Sequence, residues 1–277
     1  EDPDYITGFA VTEHTAGTEN WLASEDPKVG VRTTCRREGD RYVINGVKHF
    51  ITNGGVAKEY GIACRNDLSK PAWESTTCFL IPANTSGFSI GKIENKMGQR
   101  LMLNGELILS DVTVPKQHRL GDEEKGAAVL IDLTCSTGIC IAGAAVGLAR
   151  AAYEAAVAYA NERTSWGQPI IHHQAVAMLL ADMKMDMEAA RALTWKVAWS
   201  SDNKGRDFFS SAAAKVHCAD MVQRVASNAL QIFGGAGYMR DLPLEKYVRD
   251  ARVMQIYDGT NQILRVGVGT ALASQRR

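Results

Sequence analysis

Neither sign of charge dominates this chain: 31 Lys and Arg face 31 Asp and Glu. A nucleic-acid surface carries a basic excess, and so does a polybasic membrane anchor. The balance excludes both as chief partners. Cysteine is sparse, with six at positions 35, 64, 78, 135, 140 and 218, no CxxC pair and no Cys/His cluster. No metal centre is therefore expected, structural zinc included. A reduced intracellular protein is the plain reading, cytoplasmic, or in the mitochondrial matrix if the chain is eukaryotic and processed. Long apolar runs are also missing. The longest candidate, Leu133 to Ala149, is interrupted by Thr134, Ser136 and Thr137 and falls short of the roughly 18 apolar residues that a span needs. No membrane insertion is expected. The acidic start, Glu1-Asp2-Pro3-Asp4, is no signal peptide. With no initiator Met, a fragment or processed product is expected. No G-x-G-x-x-G opens a helix after a strand, and no nucleophile–base triad is visible by spacing.

What is present falls into two textures. Up to about residue 121 the chain carries short β-rich runs such as Tyr42-Val43-Ile44 and Thr77-Cys78-Phe79-Leu80-Ile81, and five of the seven prolines. Asn45-Gly46 reads as a hairpin turn. From 122 onward Ala-rich segments at helical spacing take over, with candidate helices over about 138–163, 172–202, 207–233, 243–255 and 259–274. The expected architecture is α+β in two domains: an antiparallel β-barrel or sandwich over 1–121, then an antiparallel helix bundle over 122–277. Val176, Leu179, Leu180, Met183, Met187, Ala190 and Leu193 form a stripe that belongs to the core.

Three loops are candidates for chemistry. Gly234-Gly235-Ala236-Gly237 follows a long helix. Clustered glycines let backbone approach a ligand, or simply cap the helix. Asp258-Gly259-Thr260 lies between two helices, where a carboxylate is either an N-cap or a general base tuned by burial. Thr12-Glu13-His14-Thr15-Ala16-Gly17-Thr18 is a polar, small-residue loop after an apolar strand. His172-His173 reads as a solvated helix start.

Taken in order, these segments resemble the acyl-CoA dehydrogenase family of flavoproteins over nearly the whole chain. Phe9-Ala10-Val11-Thr12-Glu13 to Thr18 is similar to its TEP-x-A-G-S strand and loop, and Gly46-Val47-Lys48-His49-Phe50-Ile51-Thr52-Asn53 to its G-x-K-x-[WF]-I-T-N strand. Lys96-Met97-Gly98 through Asp111-Val112-Thr113-Val114-Pro115 is similar to the close of its β-domain. In the second half, Arg163-Thr164-Ser165-Trp166-Gly167-Gln168-Pro169, Gln231-Ile232-Phe233-Gly234-Gly235-Ala236-Gly237-Tyr238 and Arg249-Asp250-Ala251-Arg252 with Ile256-Tyr257-Asp258-Gly259-Thr260 resemble three further family motifs.

The resemblance implies FAD as cofactor. Phe9, Val11, Thr12, Phe50 and Thr52 would line the flavin ring. Arg163 and Trp166 would reach the FAD of a neighbouring subunit, and Gln231, Gly234 and Gly235 its pyrophosphate or ADP part. Thr260 and Gln262 would hold the cofactor beside the base, with Thr18 and Gly259 on the substrate side. It also implies a homo-oligomer, a dimer of dimers. The implied reaction is α,β-dehydrogenation of an acyl-CoA thioester with a short, branched or cyclic acyl group. Asp258 would abstract the α-proton, hydride would pass to flavin N5, and electrons would go on to an electron-transfer flavoprotein.

The chain departs from the family pattern in four places. Asp258 stands where the usual base is Glu. It is one methylene shorter, and a misplacement of about 1 Å can cost roughly 100-fold in rate. Ser136-Thr137-Gly138 replaces a common Arg at the start of the first long helix, and His14 replaces a loop Pro. The family's N-terminal helical domain has no counterpart here. Two rival functions follow: a flavin oxidase acting on a non-CoA substrate such as a nitroalkane, and a non-catalytic FAD-binding subunit of a heteromer.

Overall fold

The computed structural model describes residues 5–274; the acidic start at 1–4 lies outside them. The chain divides into two compact units, 1–96 with 100–131, and 97–99 with 132–277.

The first unit is an eight-stranded sheet. Its strands are β1 (Thr7–Ala10), β2 (Thr34–Glu38), β3 (Arg41–Thr52), β4 (Glu59–Arg65), β5 (Thr76–Pro82), β6 (Phe88–Ile93), β7 (Asn104–Pro115) and β8 (Arg119–Leu120). The order is β6-β7-β3-β2-β4-β5-β8, with β1 paired to β4. A four-residue helix, α1 (Ala72–Ser75), precedes β5. The pairing is antiparallel, as expected, except that β1 and the first residue of β2 both run parallel to β4. Period-2 alternation sends Tyr42, Ile44, Tyr60, Ile62, Phe79, Ile81, Leu107 and Leu109 into one core. Full burial of an Ile, Leu or Phe contributes about 1.5–3 kcal/mol. The other face of β4 presents Ala63 to a smaller cluster with Val11, Val31 and Cys78.

Asn45-Gly46 is not a hairpin turn. It lies inside β3, where the pairing with β7 slips between Ile44 and Gly46. Asn45 spends its amide on β7 instead, donating to Asp111 Oδ1 (2.9 Å) and accepting from Asp111 N (2.8 Å). Thr33 crowds Gly46 so closely that a Cβ there would stand 2.5 Å from Thr33 Oγ1. Glycine is needed here for a bulge and a close approach, and the turn signal misled.

The second unit is a helix bundle: α2 (Gly126–Glu162), α3 (Gln174–Lys204), α4 (Phe208–Phe233), the short α5 (Gly235–Tyr238), α6 (Leu244–Arg252) and α7 (Asn261–Ser274). A two-residue ribbon, β9 (Thr164–Ser165) with β10 (Gln168–Pro169), links α2 to α3. Ala142, Ala145, Ala149, Ala152, Ala156 and Ala160 make one fully buried face of α2, and such small side chains allow close helix packing. Leu180, Met183, Met187 and Ala190 bury as the stripe predicted. α4 begins on Asp207, whose carboxylate accepts from Ser210 N (2.8 Å), a standard N-cap. It is the central helix, buried along most of its length.

α2 starts twelve residues before the expected Gly138. Ser136 does not break it, because its hydroxyl donates back to the carbonyl of Asp132 (3.1 Å). At 37 residues this helix is long and apolar enough to cross a membrane by length and composition, contrary to the expectation that its apolar run falls short. The core helix of a bundle meets the same criterion; here one alanine face is buried, while only 28% of the apolar window as a whole is buried. All six cysteines are free.

Candidate functional site

In the β unit the motif residues converge on the ends of β1 and β3. Phe9 pairs with Gly61 of β4, and its ring lies so close that a Cβ on Gly61 would stand 2.3 Å away. Val11 is buried and Thr12 half-buried. The Thr12 carbonyl accepts from His49 N (2.8 Å), which ties the loop after β1 to β3. β1 also crosses β3 closely, since a Cβ on Gly8 would come within 2.7 Å of Thr52 O. Between Lys48 and Ile51 the β3–β7 register slips again, and Phe50 sits in the left-handed region at φ 60°. A non-glycine residue there carries strain of order 1–3 kcal/mol. The bulge turns Phe50 outward, 56% exposed. Asn104 Nδ2 fixes the segment by donating to Phe50 O (2.7 Å) and Thr52 Oγ1 (3.5 Å). Thr18 is exposed at the start of a one-turn helix, Thr18–Trp21.

The spacing gave no hint of what holds this loop. Glu13 and Lys48 form a buried ion pair, Nζ to Oε1 2.8 Å. Glu13 also accepts from Thr33 N (2.9 Å), Thr33 Oγ1 (2.6 Å) and Arg32 N (2.7 Å), and Lys48 donates to Val11 O (3.1 Å). Burial alone would raise the carboxyl pKa. The Lys48 charge and the Thr33 bonds outweigh it and hold Glu13 below the ordinary value. His14, though exposed, is bonded to Glu106 (3.3 Å).

In the helical unit the predicted residues separate into two groups. Asp258, Gly259, Thr260 and Gln262 lie together before and at the start of α7. Asp258 has φ 54° and Gly259 φ 80°, so two consecutive left-handed residues aim the Asp258 side chain. Asp258 is not the helix cap. Thr260 fills that role, its Oγ1 accepting from Ile263 N (3.2 Å), and the carboxylate is left for other work. Asp258 Oδ2 accepts from Thr137 Oγ1 at 2.5 Å. Burial raises the Asp258 pKa, partly opposed by the Thr137 bond and the Lys215 charge. Thr137 lies in the Ser136-Thr137-Gly138 segment near the start of α2, and its contact with Asp258 was not foreseen. It is reached because Gly138 lets α2 approach α4, a Cβ there falling 2.5 Å from Ser211 Oγ.

Lys215, fully buried on α4, donates to Gly259 O (2.8 Å) and Asn261 Oδ1 (3.0 Å). Burial pulls its pKa down to about 8. Asn261 in turn donates to Asp220 Oδ1 (2.8 Å). A cation on the carbonyl of Gly259 thus braces the turn that carries Asp258.

The second group sits at the other end of the bundle. Arg163 follows α2, and Trp166 heads the β9–β10 hairpin. Trp166 (φ 47°) and Gly167 (φ 80°) are its two central residues, the pattern of a type I′ turn, and Trp166 is 95% exposed. Gln231, Gly234 and Gly235 end α4. Gly234 N donates to the Leu230 and Gln231 carbonyls (3.1 Å each) at φ 60°, so the helix-cap role is real. Nothing lies within 4 Å of a Cβ built on Gly234 or Gly235, which leaves open space beside the cap. Tyr159 stacks on Phe233 (centroids 4.1 Å), while Ser211 Oγ donates to Cys135 O (2.7 Å). α2 and α4 therefore run side by side in the same direction. From Thr137 to Tyr159 the rise is about 33 Å at 1.5 Å per residue, which separates the two groups.

A mixed sheet domain followed by a bundle with a half-buried carboxylate on a left-handed residue defines the class. The model of the acyl-CoA dehydrogenase middle domain matches residues 8–112, and that of the acyl-CoA dehydrogenase C-terminal domain matches 124–273. The chain is 37% identical over 93% of its length to the short-chain specific acyl-CoA dehydrogenase of Clostridium acetobutylicum. It is 40% identical over 96% to that of Megasphaera elsdenii. The solved butyryl-CoA dehydrogenase from Megasphaera elsdenii superposes with a TM-score of 0.91 at 38% identity over 97% of the chain. The chain spans 66%, 68% and 68% of these proteins respectively, about two thirds of their length. It belongs to the acyl-CoA dehydrogenase family.

Proposed function

We propose that this chain carries the flavin-binding and base-bearing parts of an FAD-dependent acyl-CoA dehydrogenase, acting on a short-chain acyl-CoA thioester with Asp258 as the base. The carrying observation is the state of Asp258: half-buried, strained to positive φ, not used as a cap, and held by Thr137 with its pKa raised by desolvation. A carboxylate freed from capping and pushed toward the working pH is what a general base requires.

The residues present fit FAD. Open space beside the positive-φ Gly234 gives a phosphate-bearing group close access to backbone. Trp166 offers an almost wholly exposed indole, and Phe50 is turned out of the sheet. In this reading Phe9, Val11, Thr12, Phe50 and Thr52 line the flavin ring. Arg163, Trp166, Gln231, Gly234 and Gly235 hold the remainder, and Thr260 and Gln262 flank it near the base. Since about 33 Å separates the two ends of the bundle, we assign them to two different cofactors, and the assembly to a homo-oligomer in which one chain's Trp166 end serves its neighbour. When bound, FAD supplies a hydride acceptor, with an electron-transfer flavoprotein as the next acceptor.

The remaining chemistry belongs to the chain's own side chains. Asp258 takes the α-proton of the thioester on a carboxylate oxygen. Thr137 fixes that carboxylate through Oδ2 and leaves Oδ1 for the proton. Lys215 holds the Gly259 carbonyl, so the turn stays in place as charge leaves Asp258. Thr18 and Gly259 lie on the substrate side. Anaerobic mixing with butyryl-CoA tests the reading: bleaching of the flavin is expected, and a flavin that stays oxidised refutes it. Peroxide formed without any electron-transfer flavoprotein would point instead to the oxidase.

A further inference from the structure

The β unit carries a group of side chains for which this function has no use. His14 in the loop after β1, His49 in β3 and Glu106 in β7 bring one ligand atom each within 4.8 Å of one another. His14 Nε2 lies 3.3 Å from Glu106 Oε1, and His49 Nδ1 lies 3.8 Å from the same oxygen. The two imidazole rings are tilted by 32° with centroids 3.8 Å apart. His49 is only 7% exposed, yet its Nδ1 is buried with no hydrogen-bond partner. A buried polar atom left unsatisfied costs about 1–3 kcal/mol and calls for a partner.

The sheet is shaped around this group. The register slips opposite Glu106 on both sides, between Lys48 and Ile51 in β3 and between Ile90 and Ile93 in β6. Gly91 leaves room for the carboxylate, since a Cβ there would stand 2.2 Å from Glu106 Oε2. Behind His49, its other ring nitrogen, Nε2, faces Glu94 Oε1 at 3.6 Å, and that oxygen too is buried without a partner.

We propose that His14, His49 and Glu106 form a binding site for one divalent transition-metal ion of the zinc type, with Glu94 orienting His49. Tetrahedral zinc with ligands at about 2.0–2.1 Å sets them roughly 3.3–3.4 Å apart. The separations from Glu106 Oε1 are 3.3 and 3.8 Å and all three ligand atoms lie within 4.8 Å of one another, so the side chains must draw together around the ion to close the site. Two imidazoles and one carboxylate suit zinc, while calcium and magnesium take oxygen ligands. In this arrangement His49 binds the ion through Nδ1 and donates Nε2–H to Glu94, the common carboxylate–histidine–metal relay. The ion ties the loop after β1 to β3 and β7, and a solvent molecule fills the fourth position on the exposed His14 side.

The test is titration of the untagged, chelator-treated full chain with Co²⁺ and then Zn²⁺, with absorbance and calorimetry as readouts. Expected are one equivalent bound, the visible bands of a tetrahedral Co²⁺ ion, and their loss as Zn²⁺ displaces it. His14→Ala and Glu106→Gln each weaken zinc binding by at least 10-fold, and Glu94→Gln by about 10–100-fold, while the metal-free thermal midpoint of His14→Ala stays put. Two results overturn the proposal. One is the absence of stoichiometric binding. The other is equal binding by the His14→Ala/Glu106→Gln double variant, which would locate the ion elsewhere.

Discussion

Thr137 Oγ1 donates to Asp258 Oδ2 at 2.5 Å, joining residues 121 positions apart. The bond holds the carboxylate and opposes the rise in pKa that burial imposes. Thr137→Val should therefore raise the acid limb of the kcat/KM profile to higher pH. Loss of a hydrogen bond to a charged group is worth about 1.5–3 kcal/mol, roughly 10–100-fold in rate when the carboxylate is the base. Thr137→Ser should keep both properties. The check is the pH dependence of kcat/KM for the three proteins; an unmoved acid limb in Thr137→Val would show that the bond is incidental.

Asp258 also makes a statement about stability. Its folded pKa lies above the unfolded one, so the folded state holds this proton more tightly. The benefit is present below the unfolded value and is lost as pH rises through the folded one, and at neutral pH a buried charge remains as a cost. Asp258→Asn should be more stable than wild type at pH 7 and gain little at low pH. Urea midpoints at several pH values measure this, and a variant destabilised at pH 7 would contradict it.

Lys215 gives the complementary case. Its folded pKa, lowered by burial to about 8, lies below the unfolded one, so the unfolded chain binds the proton first as pH falls. Stability from this group is present above the unfolded value near 10.5 and lost as pH drops toward about 8. The wild-type midpoint, relative to that of Lys215→Met, should therefore rise between pH 8 and pH 10. A flat difference would mean that Lys215 titrates as a solvated lysine. The same variant releases the Gly259 carbonyl and should lower kcat more than it raises KM.

Much of the architecture was legible because it rests on periodicity. The alanine face of α2 and the stripe on α3 have the helical spacing, and the β-rich runs alternate. Asn45-Gly46 was misread because a bulge and a turn ask the same thing of glycine, and the choice is made by Thr33 and Asp111, distant in sequence. The early start of α2 was missed because hydroxyls that bond back to their own helix look like a break. Thr137, Glu13 and Lys48 lie in segments that stood out, but nothing local shows which partners they take, and Lys215 gives no local signal. Each acts through a contact made only when the chain is folded, whereas Asp258 stood out by the glycine and threonine that follow it.

Lys48 and Glu13 are buried together, and removal of one partner strands the other. Lys48→Met should cost about 3–5 kcal/mol, read from the urea midpoint. The double variant Glu13→Gln/Lys48→Met should recover part of that loss. No recovery would mean that the Thr33 and Arg32 bonds to Glu13, and not the charge pair, hold the loop.

Trp166 is 95% exposed and meets the His173 ring edge-on, with centroids 5.9 Å apart. Trp166→Ala should change stability by less than about 0.5 kcal/mol and yet weaken FAD retention and the oligomer, measured by flavin release on dilution and by sedimentation. Unchanged retention in an intact oligomer would remove Trp166 from the cofactor site.

The central claim is that Asp258 is the base of a flavin dehydrogenase. The most direct test is the flavin absorbance of the full protein, mixed anaerobically with butyryl-CoA in the wild type and in Asp258→Asn. Rapid bleaching is expected in the wild type, and bleaching slowed by at least about 10²–10⁴-fold in the variant with FAD still bound. Bleaching at the same rate in both proteins would contradict it.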